Sequence, residues 1–169
     1  MNNLLKSNEI IYEKITDTLI DMKLSISTME SCTAGLIATL LTNRLGASAI
    51  LKGAFVTYSN EAKIKQGVNK ECIDKYGVYS KQTAIEMAKA CKKQYDSYFG
   101  IGVTGIIDRP DPNNITNNNK VYYAIVYNDK IFTHTISIPN NIKNRWDRKL
   151  YVANNIGVYL TDILMQMKK

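Results

Sequence analysis

The feature that most constrains this 169-residue sequence is a hand-over that occurs twice, in which a short apolar run ends in polar residues and passes into a helical repeat. Residues 24–28 read as a strand running into Met29-Glu30-Ser31-Cys32-Thr33. From there Leu36, Ile37, Leu40 and Leu41 fall on one helical face, and Gly46 is placed to end that helix. Residues 50–58 read as a buried strand followed by a short helix near residues 60–66. A strand that feeds a helix in this way belongs to a sheet covered by helices.

The remaining segments fit the same plan. Residues 4–22 repeat apolar side chains every three to four positions, as a helix does. A connecting segment at 71–76 is closed by Gly77, and Ser80 is a cap for a helix that turns Ala84, Met87, Ala88 and Cys91 to the core. Residues 98–103 form another strand, in which Gly102 points to a close approach of backbone. A loop rich in Asp, Asn and Pro spans 104–120, with an Asn-rich stretch at 113–119 that reads as a solvated excursion. Residues 121–127 and 131–138 flank Asn128-Asp129-Lys130 as an antiparallel hairpin, and a long helix runs from about Ile142. Together these predict one domain over 1–169, a three-layer α/β/α fold whose mixed sheet includes a C-terminal antiparallel hairpin.

Composition narrows the chemistry. A single histidine, His134, removes most zinc and two-histidine iron sites, which need clustered ligands, so no metal is expected. Cys32, Cys72 and Cys91 lack CxxC spacing and suit a reducing compartment rather than a disulfide framework. The net charge of +7 is spread over the chain without a long basic run, which argues against a nucleic-acid partner. No apolar run approaches the roughly 20 residues of a membrane span, and the N-terminal residues lack a signal-peptide pattern, so the expectation is a cytoplasmic chain away from the membrane.

Three segments can carry chemistry. Glu30-Ser31-Cys32-Thr33-Ala34-Gly35 sits at a strand-to-helix hand-over, where open α/β sheets place ligand sites. The unsatisfied N–H groups of an opening helical turn can hold a phosphate or an oxyanion there. Ser31 is then either an exposed nucleophile or simply a helix cap, and Cys32 is a rival nucleophile or a buried structural thiol. The second segment ends Thr57-Tyr58-Ser59-Asn60-Glu61-Ala62-Lys63. Its lysine is a general base if burial depresses its pKa, and an ordinary solvated cation otherwise. The third, Gly102-Val103-Thr104-Gly105, would bring Thr104 beside Ser31 and Tyr58 if the three strands are parallel neighbours. Arg145 and Arg148, near the start of the last helix, are candidates for an anionic group.

These motifs, with Gly77-Val78-Tyr79-Ser80 and Val103-Thr104-Gly105-Ile106 in support, resemble the C-terminal domain family of the competence-damage-inducible CinA proteins, which includes stand-alone nicotinamide-nucleotide amidases. The resemblance runs from about Leu4 to Leu164. It implies hydrolysis of nicotinamide mononucleotide to nicotinate mononucleotide and ammonia, with no metal or cofactor. It also implies Ser31 as nucleophile, Lys63 as base and Tyr58 in support. Glu30, Cys32, Thr33, Thr104, Gly105 and Arg145 are then expected around the nucleotide substrate, with Arg148 the alternative to Arg145. The family is often fused behind a molybdopterin-binding-like domain, and a chain of this length is expected to be the stand-alone form, in a homo-oligomer.

The sequence departs from the family at four places. Ala34 replaces a second glycine, and Gly46-Ala47-Ser48 a usual Gly-Ser-Ser. Ile107-Asp108-Arg109-Pro110-Asp111-Pro112 stands where the family has a glycine-rich Ala-Gly-Pro-Gly-Gly loop, and Asn119-Lys120 replaces the Gly-Thr that opens the next strand. The changed loop favours a member that binds the nucleotide with weakened or lost turnover, unless Arg109 reaches the phosphate in place of the lost backbone donors.

Overall fold

The computed structural model describes residues 3–108 and 118–168. In chain order the elements are α1 (Asn3–Met22), β1 (Ile26–Glu30), α2 (Leu36–Thr42), β2 (Leu51–Val56), α3 (Asn60–Lys65), α4 (Lys70–Tyr76), α5 (Lys81–Tyr95), β3 (Phe99–Gly105), β4 (Lys120–Tyr127), β5 (Lys130–Ser137) and α6 (Arg145–Met167). The five strands form one sheet in the order β2-β1-β3-β4-β5. β1 is parallel to both β2 and β3, and β4 and β5 run antiparallel. The expected mixed sheet with a C-terminal hairpin is present. Its tight turn is Asn128-Asp129, with Asn128 at φ 50°, and Lys130 already belongs to β5.

Strand alternation assigns the two faces. Ile26 of β1, Phe99, Ile101 and Val103 of β3, and Val121, Tyr123 and Ile125 of β4 join the core built with α1, α2 and α6. Met29 turns the other way and packs with Met87 and Cys91 of α5. Gly100 and Gly102 let α5 lie directly on β3: a Cβ built at Gly102 would stand 2.1 Å from the Ala84 carbonyl oxygen. The close approach read from Gly102 is therefore a helix-on-strand contact. Among the described residues no helix is long and apolar enough to cross a membrane.

Local boundaries moved for identifiable reasons. β1 begins and ends two residues later than expected, because it pairs with β3 through Glu30 opposite Val103. α2 starts only at Leu36, since Ala34 and Gly35 both adopt left-handed backbone at φ 53° and 88°. It stops at Thr42, and Gly46 (φ 87°) opens a separate single 3₁₀ turn, Ala47–Ala49, instead of closing the helix. Ser80 caps α5 by accepting from the Thr83 N–H at 3.1 Å, as read from the sequence. α6 begins at Arg145 rather than Ile142, with the Asn144 side chain accepting from Asp147 N–H.

Candidate active site

The carboxyl ends of the three parallel strands β2, β1 and β3 lie side by side where the chain reverses its direction of travel across the sheet, the position at which α/β sheets open a crevice. A cleft of about 280 Å³ opens there, lined among others by Ser31, Cys32, Tyr58, Tyr79, Asp108 and Arg145. A larger hollow of about 440 Å³ lies along α4 and α5, but its thiol, Cys72, is pushed up by burial and stays protonated.

Ser31 follows β1 directly, and its N–H donates to the Val103 carbonyl at 3.0 Å, which ties the residue to β3. Thr57 N–H donates to the Glu30 carbonyl at 2.9 Å and ties the end of β2 to β1. Ser59 caps α3 by accepting from Ala62 N–H, and that short helix delivers Lys63 inward. Lys63 is only 1% exposed. Its Nζ donates to the Thr57 carbonyl at 2.9 Å and meets Ser31 Oγ at 3.3 Å. No carboxylate forms an ion pair with it among the described residues, so burial draws its pKa down from 10.5 to about 8 against weaker opposing effects of Cys32 and Glu61.

Cys32 lines the same cleft but is chemically quiet. Burial first, and the charge of Glu30 second, push its thiol up to about 12. At neutral pH it is a thiol, and the two rival nucleophiles are thereby separated by environment.

Glu30 is not where the sequence reading puts it. Its side chain is fully buried and accepts hydrogen bonds from the N–H groups of Gly35, Ile37 and Ala38 and from Thr28 Oγ1. The donors at the start of α2, expected to hold a substrate anion, are thus already occupied by a carboxylate of the chain itself. Thr33 and Thr104 are likewise buried and absent from the cleft lining. Thr33 Oγ1 has no partner among the described residues, while Thr104 Oγ1 donates to the Val78 carbonyl and fixes the segment that carries Tyr79. Gly105 does line the cleft.

The two arginines divide clearly. Arg148 anchors the chain, donating to the carbonyls of Ile142 and Ile107 and to Asn119 Oδ1. Arg145 faces the cleft, with Nη2 donating to Tyr58 Oη at 2.7 Å and Nη1 paired with Asp108 Oδ2 at 3.2 Å. Tyr58 is 61% exposed and Arg145 holds its hydroxyl in place. Asn119 sits at φ 56°, so it adopts the backbone that a glycine would, in one of the few other residue types that tolerate it. Arg109 lies outside the described residues.

Tyr79, Ile107 and Asp108 line the cleft without having been singled out as site residues in the sequence. The strand-end position of Gly105 was the available signal for Ile107 and Asp108, since they follow it within three residues.

A family model of the CinA C-terminal domain matches residues 8–153. This chain belongs to the CinA C-terminal domain family. A putative competence-damage inducible protein of Clostridium perfringens is 41% identical over 107 residues, 62% of this chain and 26% of that protein. A CinA-like protein of Kosmotoga olearia is 36% identical over 141 residues, 81% of this chain and 34% of that protein. The chain therefore spans about a quarter to a third of the length of these curated relatives. The crystal structure of the competence/damage inducible protein CihA from Agrobacterium tumefaciens superposes with a TM-score of 0.84 at 28% identity, covering 96% of each chain. That of a competence or damage-inducible protein from Enterobacter asburiae, at 22% identity and a TM-score of 0.84, covers 98% of this chain and 99% of that one and shares the CinA fold.

Proposed function

We propose that this CinA-family chain is an amidohydrolase that converts nicotinamide mononucleotide to nicotinate mononucleotide and ammonia, with Ser31 as nucleophile and Lys63 as its base. The observation that carries this reading is the buried amine of Lys63, held between the Ser31 hydroxyl and the Thr57 carbonyl and in no ion pair with a carboxylate among the described residues. A carbonyl only accepts, so an N–H of Lys63 points at Thr57 and the lone pair of the neutral amine is left for the Ser31 proton. An ammonium has three donors, and here two acceptors are in reach, which adds to the desolvation that favours the neutral form.

In the first half-reaction Lys63 takes the proton of Ser31 as Oγ attacks the carboxamide carbon. The tetrahedral oxyanion is held by the backbone N–H groups near Cys32 and Thr33, since those of Ala34 and Leu36 donate to the Ser31 and Thr33 carbonyls and those of Gly35, Ile37 and Ala38 to Glu30. Lys63 then protonates the departing nitrogen, and ammonia leaves an ester on Ser31. In the second half-reaction Lys63 accepts a proton from water, the hydroxide attacks the ester carbon, and Ser31 recovers its proton as nicotinate mononucleotide departs. Tyr58 and Arg145 border the part of the cleft left for the rest of the substrate.

Ammonia release from nicotinamide mononucleotide by the purified protein, set beside Ser31→Ala, tests the reading. A wild-type rate equal to that of Ser31→Ala rejects it. A second reading, a nucleotide-binding member without turnover, follows from the altered loop: Asp108, where the CinA resemblance places a glycine, is paired with Arg145 in the cleft. Calorimetric binding of the nucleotide without ammonia release would identify that case.

A further inference from the structure

The charged side chains lining the cleft among the described residues are Arg145 and Asp108, and their formal charges cancel. Both arms of the Arg145 guanidinium are engaged within the protein, Nη1 by Asp108 and Nη2 by Tyr58 Oη. Among the described residues the other arginine near the cleft, Arg148, is turned into the fold by two backbone carbonyls and Asn119. Lys63 is buried at the opposite, reacting end, on Ser31 and Thr57. A phosphate approaching Arg145 would therefore meet a carboxylate already on the same guanidinium. Asp108 stands in a loop where the CinA resemblance places glycines, so the charge is a feature of this chain.

We infer that Asp108 is a specificity-determining residue that sets this cleft against a terminal phosphate and in favour of an uncharged, hydroxyl-bearing tail. The chain then takes a pyridine-carboxamide riboside at least as well as the corresponding 5′-phosphate. The inference rests on the reading of the cleft as a carboxamide site and narrows its substrate class. Two contributions act in the same direction. Like charges about 4 Å apart repel even in bulk water by an amount worth roughly fivefold in affinity, and more where the site is partly dry. With Oδ2 on Arg145, Asp108 has Oδ1 as an acceptor for ribose hydroxyls, the contact by which carboxylates in strand-end crevices read a ribose. The cationic pyridinium of a riboside is attracted by the same carboxylate, whereas a phosphate dianion reverses the net charge of the ligand.

The test is calorimetric binding of nicotinamide riboside and of nicotinamide mononucleotide to the full chain and to Asp108→Asn, with ammonia release recorded for every pair. Asparagine keeps the shape and one acceptor while removing the charge. The expected result is riboside binding at least as tight as mononucleotide binding in the wild type. In Asp108→Asn the ratio should shift toward the mononucleotide by about fivefold or more, chiefly through tighter mononucleotide binding. Wild-type preference for the mononucleotide by about tenfold, an unchanged ratio in Asp108→Asn, or binding of neither ligand overturns the inference. A shifted binding ratio without ammonia from either ligand leaves the inference standing and removes the amidase reading instead.

Discussion

Glu30 and Ser31 are adjacent in the chain and turn their side chains to opposite sides of the sheet: the Glu30 carboxylate accepts from three N–H groups at the start of α2, while the Ser31 hydroxyl meets Lys63 at 3.3 Å. Period-two alternation at the end of β1 makes this division. One residue fixes the turn that follows, and the next presents the reacting atom.

Glu30→Ala therefore costs stability rather than a substrate contact. It strands three N–H groups, one bonded in buried and two in partly buried surroundings, at about 1–3 kcal/mol for each buried donor left unmade. Denaturant unfolding should show a loss of at least about 3 kcal/mol. A loss below about 1 kcal/mol would mean that water replaces the carboxylate without cost and that the turn does not depend on Glu30.

Ser31→Ala should lower ammonia release by at least about 10³-fold, the scale on which loss of a nucleophile acts, with ligand affinity and melting temperature little changed. Cys32→Ser should keep most of the activity, because burial and Glu30 hold that thiol near 12 and leave almost no thiolate at neutral pH. Activity retained in Ser31→Ala and lost in Cys32→Ser would exchange the two roles.

The rate should rise with pH through about 8 as Lys63 loses its proton, so kcat/KM carries an acid limb there. Lys63→Arg should fail nearly as badly as Lys63→Ala, since a guanidinium does not release its proton in a protein. Substantial activity of Lys63→Arg at neutral pH would make the residue a cation for the substrate rather than a base.

The same burial makes Lys63 a cost to the fold, and its sign follows from linkage. The native pKa lies below the unfolded value, so the penalty is fully present below about pH 8 and disappears as pH rises toward 10.5. A shift of this size corresponds to about 3 kcal/mol, reduced by about 1 kcal/mol for the lost bond to Thr57. Lys63→Met should thus be more stable than the wild type by about 2 kcal/mol at pH 7, with the gain falling to zero near pH 10 and reversing above it. Unfolding curves at pH 7 and 10 measure it. Equal stability at pH 7 would show that the amine is not desolvated.

The hydrophobic periods of β1, α5 and β3 and the cap at Ser80 were legible in the sequence, because each is a local pattern with a local cause. The pairing of Ser31 with Lys63 was legible only through the resemblance, since 32 residues separate them and neither motif states its direction. Glu30 was misread because an acid at a strand-to-helix hand-over looks the same whether it binds ligand or caps the helix that follows it. The separate fates of Arg145 and Arg148 depend on which face of α6 meets residue 107, a tertiary fact that the spacing of three does not contain.

Ala34 offers a test of the turn that presents Ser31. It holds φ 53°, and its N–H donates to the Ser31 carbonyl at 3.0 Å, while its side chain is exposed. A left-handed backbone costs an alanine about 1–2 kcal/mol through its Cβ, and glycine lacks that penalty. Glycine gives back about 0.5–1 kcal/mol through the greater freedom of its unfolded chain. Ala34→Gly should accordingly stabilise the protein by about 0.5–1 kcal/mol, which for a domain of this size raises Tm by roughly 1–4 °C. Because Ala34 is exposed and does not line the cleft, the ammonia-release rate should stay within about twofold of the wild type. A fall in Tm would show that the alanine is not strained at this position. An unchanged Tm with a sharply lower rate would show instead that the stiffness of Ala34, rather than its conformation, holds Ser31 against Lys63.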